Sequence, residues 1–98
     1  MFRNARRGTV FAIAVLLFAS AALPVWSQAA AVEANREGER AFDRLEIFEA
    51  FQKFETALEL NPAYPAPMVG LARLLFYLGE YDEALDYVDA ARPLLGFD

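Results

Sequence analysis

The sequence contains no cysteine and no histidine. Without cysteine it has no disulfide framework and no thiolate metal site. Without histidine it also lacks the commonest general base and metal ligand. From residue 32 onward there is no serine, only one threonine (Thr56) and only one lysine (Lys53). Because nucleophile–base pairs, zinc-site patterns and phosphate-binding glycine loops are all absent from this part of the sequence, we expect a non-catalytic protein with no cofactor and no metal.

Basic residues are scarce in the same part of the chain. All fourteen acidic residues lie from Glu33 onward, and residues 32–98 hold six basic residues, so this part carries a net charge of −8. A surface this acidic argues against nucleic acid as a partner, because nucleic acid is bound mainly through its phosphates. The length of 98 residues leaves room for one small domain.

Residues 1–31 have the composition of an export signal. Three arginines precede an apolar run at residues 10–23, and Pro24 ends this run. Small residues follow, in patterns that a signal peptidase accepts after Ala29 or Ala31. This order of charge, apolar core and small residues predicts a secretory signal peptide, with the folded domain at residues 32–98.

An uncleaved signal anchor is the main alternative. No charged residue occurs from Gly8 to Val32, a stretch long enough to cross a bilayer. A buried soluble helix and a twin-arginine signal at Arg6–Arg7 are further alternatives, although the residues after Arg7 fit that signal poorly. Both main interpretations keep the arginines in the cytoplasm. We therefore expect the domain to be periplasmic or secreted, or anchored in the inner membrane and facing the periplasm.

Apolar spacing predicts four helices after this segment, at residues 33–45, 47–60, 66–78 and 82–92. The signals that mark their ends are Asn61–Pro62 after the second, Gly79 after the third and Asp82 as the cap of the fourth. The turn between the first two is weakly marked, because Leu45 stands where the later turn has Gly79. One long helix is therefore an alternative to the bend that we predict.

The side-chain pattern also predicts what these helices bury. The third is apolar on almost every side, which predicts burial on several sides. The fourth is expected to face inward through Ala84, Leu85, Val88, Ala91 and Tyr87.

Two rows of charged residues lie on predicted helix faces. Arg36, Arg40 and Arg44 could form a basic stripe for an anionic ligand, and an acidic row from Asp82 to Asp89 could suggest calcium. We favour solvated faces for both rows, since the arginines have acidic neighbours at helical spacing and no calcium-binding loop is present.

The chain also repeats itself at a fixed interval of about 34 residues. Small and aromatic residues recur in the same register, although the first copy is fainter. The matching pairs are Gly38 with Ala72, Phe42 with Phe76, Glu49 with Glu83, Ala50 with Ala84, Phe54 with Val88, and Ala57 with Ala91. A fixed period of this length is typical of a helical repeat.

These residues resemble the tetratricopeptide repeat family, whose unit is a 34-residue helix–turn–helix. The resemblance covers two copies, at about residues 31–64 and 65–98. It implies an all-α fold of two antiparallel helix–turn–helix hairpins in a short α-solenoid. Departures are Ala34 and Glu37 in place of a large apolar pair, and Pro93 arriving early in the second copy. The family normally stacks three or more copies and adds a capping helix.

The resemblance further implies a protein or peptide partner bound on a concave face. Carried over by position, that face holds Asn35, Glu39, Phe42 and Asp43 from the first copy, and Val69, Arg73, Phe76 and Tyr77 from the second. A carboxylate clamp, as in the chaperone-binding members, is disfavoured because only Asn35 and Arg73 could contribute to it. An apolar segment or amphipathic helix suits the aromatic residues better. Alternatively, these residues pack inside the fold or against a second copy of the chain.

The sequence thus predicts an exported protein–protein interaction module. Alternatives are a self-associating structural subunit, a membrane-anchored subunit of an envelope complex, or part of a longer repeat protein. In the exported form, contact with the membrane is expected only if the N-terminal segment stays uncleaved.

Overall fold

A computed structural model describes residues 24–96. It contains four helices, α1 (Val25–Asp43), α2 (Ile47–Leu60), α3 (Pro65–Tyr77) and α4 (Tyr81–Ala91), followed by a 3₁₀ turn at Pro93–Leu95. α1 packs on α2, α3 packs on α4, and α2 joins the two pairs by packing on α3. This arrangement confirms the predicted all-α fold of two antiparallel hairpins.

The predicted leader lies mostly outside the described residues. Residues 1–23, which include the apolar run, are not described, and neither are the last two residues of the chain. Among residues 24–96, no helix is long and apolar enough to cross a membrane.

The turns inside the two hairpins have the same hydrogen bonds. After α1, the Glu46 N–H donates to the Ala41 carbonyl at 2.8 Å, and after α3 the Glu80 N–H donates to the Leu75 carbonyl at 2.8 Å. Each bond closes the end of its helix in the Schellman arrangement, in which a left-handed residue precedes the donor. The donors and acceptors of the two bonds are 34 residues apart in the sequence, so the two turns have the same backbone hydrogen bonding.

A left-handed residue lies inside each of these turns. Gly79 has a φ of 83° and Leu45 a φ of 60°. A residue with a side chain adopts this conformation at a cost of about 1–2 kcal/mol, which glycine avoids. The bend predicted between the first two helices is confirmed, although Leu45 gives no turn signal in the sequence.

Three helix starts differ from the sequence prediction, and that of α3, at Pro65, differs by one residue only. α1 begins at Val25 rather than at residue 33, because Ser27 and Ala31 are buried in the fold and the Ser27 hydroxyl donates to the Leu60 carbonyl at 2.7 Å. The cuts predicted after Ala29 or Ala31 would therefore fall inside α1; where the leader ends stays a prediction. The cap predicted at Asp82 is wrong, because Glu80 holds that position and Asp82 lies in the first turn of α4.

Phe54 of α2 holds the two hairpins together. Its side chain is fully buried between Gly38 of α1 and Gly70 of α3. A Cβ atom on Gly38 would lie 2.7 Å from Phe54 Cδ1, and one on Gly70 would lie 2.6 Å from Phe54 Cζ. With a residue larger than glycine at position 38 or 70, α1 or α3 could not approach the Phe54 ring this closely.

The outer side of α1 forms a charged end, made of Glu33, Arg36, Glu37 and Arg40. These side chains are exposed or half-buried and form ion pairs, so the solvated interpretation of the arginine row is confirmed. The ion pairs on this side and in the following turn are Arg36–Glu33 at 3.7 Å, Arg40–Glu33 at 3.6 Å, Lys53–Glu37 at 3.1 Å and Arg44–Glu46 at 3.0 Å.

The contact between Phe54 and Gly70 predicts the effect of adding one methyl group. We expect Gly70→Ala to lower the free energy of unfolding by about 1–2 kcal/mol, because overpacking exceeds the gain in helix propensity. In a Phe54→Leu background the same substitution should cost less, because the shorter side chain leaves room. Urea unfolding followed by circular dichroism measures both. Equal costs in the two backgrounds would contradict this account of the contact.

Candidate functional site

An open groove of about 1070 Å³ runs along the second hairpin, between α3 and α4. Its floor consists of small buried residues of both helices, and its walls consist of larger, more exposed ones. We call it the open groove, and define it by its lining residues: Phe42, Val69, Ala72, Arg73, Phe76, Tyr77, Tyr81, Ala84, Leu85, Val88, Ala91, Arg92 and Leu95.

Most of the residues predicted from the sequence to bind a partner lie together here. Those that line the open groove are Phe42, Val69, Arg73, Phe76 and Tyr77. Glu39 and Asp43 are exposed on α1 and do not line the groove. Asn35 is buried, and its Oδ1 accepts no hydrogen bond within residues 24–96. That any of these residues contacts a partner stays a prediction.

The α3 wall follows from helical spacing. Val69, Arg73 and Phe76 are separated by four and three residues, so they lie on one face of α3. The Arg73 guanidinium lies 5.3 Å from the ring centroid of Phe42, a cation–π contact that holds it beside the apolar wall. The Phe42 ring also meets Tyr77 edge-on, with centroids 6.1 Å apart.

The predicted burial of the third helix on several sides is confirmed, because α3 packs on α1, α2 and α4, but one face of it stays exposed. Phe76 is 66% exposed and Tyr77 is 59% exposed. Phe76 is in ring contact with Tyr81 of α4, at a centroid distance of 5.0 Å, but neither ring is covered. Packing inside the fold therefore does not account for these aromatic residues.

The α4 wall holds residues that the sequence pattern assigns to the core. Leu85 is 57% exposed and Val88 is 38% exposed, so their predicted inward orientation is wrong. The spacing of four and three residues that joins Tyr81, Leu85 and Val88 marks one face of α4 and could have revealed it. The inward face belongs instead to residues predicted correctly, Ala84, Tyr87 and Ala91.

The charge of the open groove differs from that of the domain. Of its described lining residues only Arg73 and Arg92 are charged, and they are the only basic residues after Lys53. The domain as a whole carries an excess of acidic residues. The groove is therefore an apolar channel with a positive rim on an acidic protein.

The acidic side chains of α4 lie too far apart to hold a metal ion together. Among residues 24–96 no group of three carboxylates lies close enough together to hold a metal ion. Asp82 and Asp89 are exposed on the outer side of the helix.

Among residues 24–96, a large pKa shift is found at Tyr87, in the core beside the groove. Burial raises the pKa of Tyr87 to about 12, and the nearby carboxylates of Glu55 and Glu83 contribute. Burial also raises the pKa of Glu55, with Glu59 and Glu83 adding to the effect. Both shifts follow from burial of the group, and neighbouring carboxylates of α2 and α4 add to them.

The Tyr87 shift predicts how stability depends on alkaline pH. Because the folded-state pKa lies above the ordinary value of 10, the stability that it contributes is complete below pH 10 and is lost as pH rises towards 12. When the pH is raised from about 9 to about 11.5, the free energy of unfolding of the native chain should fall by about 2 kcal/mol more than that of the Tyr87→Phe variant. The variant has no ionisable group at this position. Urea unfolding at both pH values measures this difference. Parallel losses in the two proteins would refute the assignment.

Comparison with known families gives one match. The model of the tetratricopeptide repeat family matches residues 49–95, which include most of α2, all of α3 and α4, and the 3₁₀ turn. No curated protein and no solved structure matches the chain. Tetratricopeptide repeats are generally non-catalytic modules that bind other proteins. The match thus supports a relation to the tetratricopeptide repeat family for the part of the chain that forms both helical walls of the open groove.

Proposed function

We propose that this chain is a protein–protein interaction module, and that its open groove binds an apolar segment or amphipathic helix of a protein partner. The observation that carries the proposal is the exposure of Phe76, Tyr81 and Leu85, each more than half accessible, along one continuous channel. A contiguous apolar surface of this kind in a small domain marks an interaction site.

The chemistry of the groove favours a polypeptide over a small molecule. Small-molecule sites surround the ligand and hold it with several convergent polar groups. This groove is open along its length, and among its lining residues only Arg73 and Arg92 are charged. Residues at intervals of three and four line both walls, and all of them but Arg73 and Arg92 are apolar, which suits a helix that presents the same spacing.

Site-specific photocrosslinking in the producing cells tests this proposal. A photoreactive residue at Tyr81 should form a covalent adduct with another protein, because Tyr81 is exposed in the groove. The matched control is the same residue at Phe48, an exposed aromatic of α2 that does not line the groove. The adduct should disappear with Leu85→Asp.

The outcomes of this experiment separate the alternatives. An adduct of twice the chain mass would support the self-associating alternative instead. Equal adducts at Tyr81 and Phe48, or none at Tyr81, would reject the groove as the binding surface.

We also propose that the chain is exported to the periplasm or the cell exterior, with anchoring in the inner membrane as the alternative. The basic start and the apolar run at residues 10–23 support export. Cell fractionation followed by intact-mass measurement tests it. A cleaved or anchored product outside the cytoplasm is expected. A soluble cytoplasmic chain that retains all 98 residues would refute export.

The same mass identifies the cleavage site. A cut before Val25 would keep α1 whole, whereas a cut after Ala31 would remove the hydrogen bond from Ser27 to Leu60.

A further inference from the structure

The first hairpin shows what kind of element fills such a groove. On α2, Phe54 and Leu58 are buried, and Ile47 and Phe51 are half-buried against the same core. Gly70 of α3 sits on the Phe54 ring. A shift by one repeat converts this covered face of α2 into the exposed wall of α4: Ile47 becomes Tyr81, Phe51 becomes Leu85, Phe54 becomes Val88 and Leu58 becomes Arg92. The open groove is therefore the equivalent of the site that α3 occupies on the first hairpin.

A second copy of this chain does not suit that site. Gly70 of α3 packs on the first hairpin, and Pro67, Leu71 and Leu74 share its face by helical spacing and are also buried. The same shift places Glu33, Arg36, Glu37 and Arg40 at these positions of α1, and these residues form the charged end. Docking α1 of one copy into the groove of another would bury four charged side chains against apolar walls, at a high desolvation cost.

Face-to-face pairing of two grooves is also disfavoured. Such a dimer would bring Arg73 and Arg92 of both copies into one interface, so that four guanidinium groups would share a largely apolar surface. A helix from a different protein avoids both of these costs, so it is the occupant that we favour.

The charges of the groove indicate how this helix is oriented. Only residues 61–64 separate α2 from α3, so the start of α3 lies beside the last turn of α2, where Leu58 is. Arg92 takes the place of Leu58 in the second hairpin and lies at the C-cap of α4. A helix docked in the orientation of α3 would thus begin beside Arg92. An acidic residue in its first turn would be favoured by both the guanidinium and the helix dipole.

The size of Val88 determines how large a side chain of the docked helix can pack against it. In the first hairpin the large ring of Phe54 requires glycine at the facing position. Val88 is smaller and 38% exposed, so a larger apolar residue can pack there.

We propose that the open groove receives one amphipathic helix of a different protein, docked as α3 docks on the first hairpin. The helix presents an apolar residue to Val88 and an acidic residue of its first turn to Arg92. This inference rests on the proposed function and names the chemistry of the partner.

The probe is a stapled, fluorescein-labelled peptide with the α3 sequence, residues 65–77. In the peptide Gly70 is replaced by leucine and Ala66 by glutamate; a second peptide has lysine in place of that glutamate. Fluorescence anisotropy measures the affinity of each for the full chain. The staple keeps both peptides helical, so that their difference reports the contact with the groove.

Three variants of the protein accompany the two peptides. The native chain should bind the glutamate peptide about three- to tenfold more tightly than the lysine peptide, and Arg92→Glu should reverse this preference. Leu85→Asp should weaken binding of both peptides more than about tenfold, because it places a charge on the apolar wall. Arg36→Glu is the control at the charged end and should change neither affinity. Circular dichroism confirms that each variant is folded.

Several results would overturn the proposal. Absence of binding by both peptides, or binding unchanged by Leu85→Asp, would reject a docked helix. Equal affinities that Arg92→Glu leaves unchanged would reject the acidic first turn. A dimer of the full chain in sedimentation, dissociated by Leu85→Asp, would make a second copy the occupant.

Photocrosslinking at Tyr81 distinguishes this failure from failure of the proposed function. If the peptides do not bind but Tyr81 still forms an adduct with another protein, the interaction module stands and the helix is rejected. If neither occurs, both proposals fall.

Discussion

The packing of Phe54 between two glycines is the contact on which the rest of this structure depends. Gly38 lies on one side of the ring and Gly70 on the other, so that one side chain of α2 fixes the distance to α1 and to α3. Burying a phenylalanine contributes about 2–3 kcal/mol. In a domain with no disulfide, this is a large share of the stability that can be expected. Because the ring belongs to both hairpins, neither keeps its packing when the other is lost.

The same position in the second hairpin explains why a binding surface exists. Val88 takes the place of Phe54, and in residues 24–96 no helix lies over it. Its neighbours on α4 and α3 are therefore exposed although they are apolar. In a longer stack of hairpins this surface would be an internal contact, whereas here it is a groove. The two arginines on its rim would favour an acidic group on a partner.

Much of the fold can be predicted from the sequence, because helical spacing and the repeat period are local signals. Apolar spacing predicts the second helix at the residues where it is found, and the resemblance to the tetratricopeptide repeat family points to five of the residues that line the groove. The start of α1 escapes prediction, since Ser27 and Ala31 are small residues next to an apolar run and resemble part of a leader. The pattern assigns Leu85 and Val88 to the core because hydrophobic spacing shows which residues share a face, but not whether another helix covers it.

The contrast between the charged end and the open groove has a consequence for lengthening the solenoid by design. A hairpin appended after the 3₁₀ turn would find an apolar surface already shaped for a first helix. A hairpin placed before Pro24 would have to bury the ion pairs of Glu33 and Glu37. The domain could therefore serve as the first unit of an engineered array. Its charged end would act as the terminal cap, so the array would extend only from the side of the 3₁₀ turn.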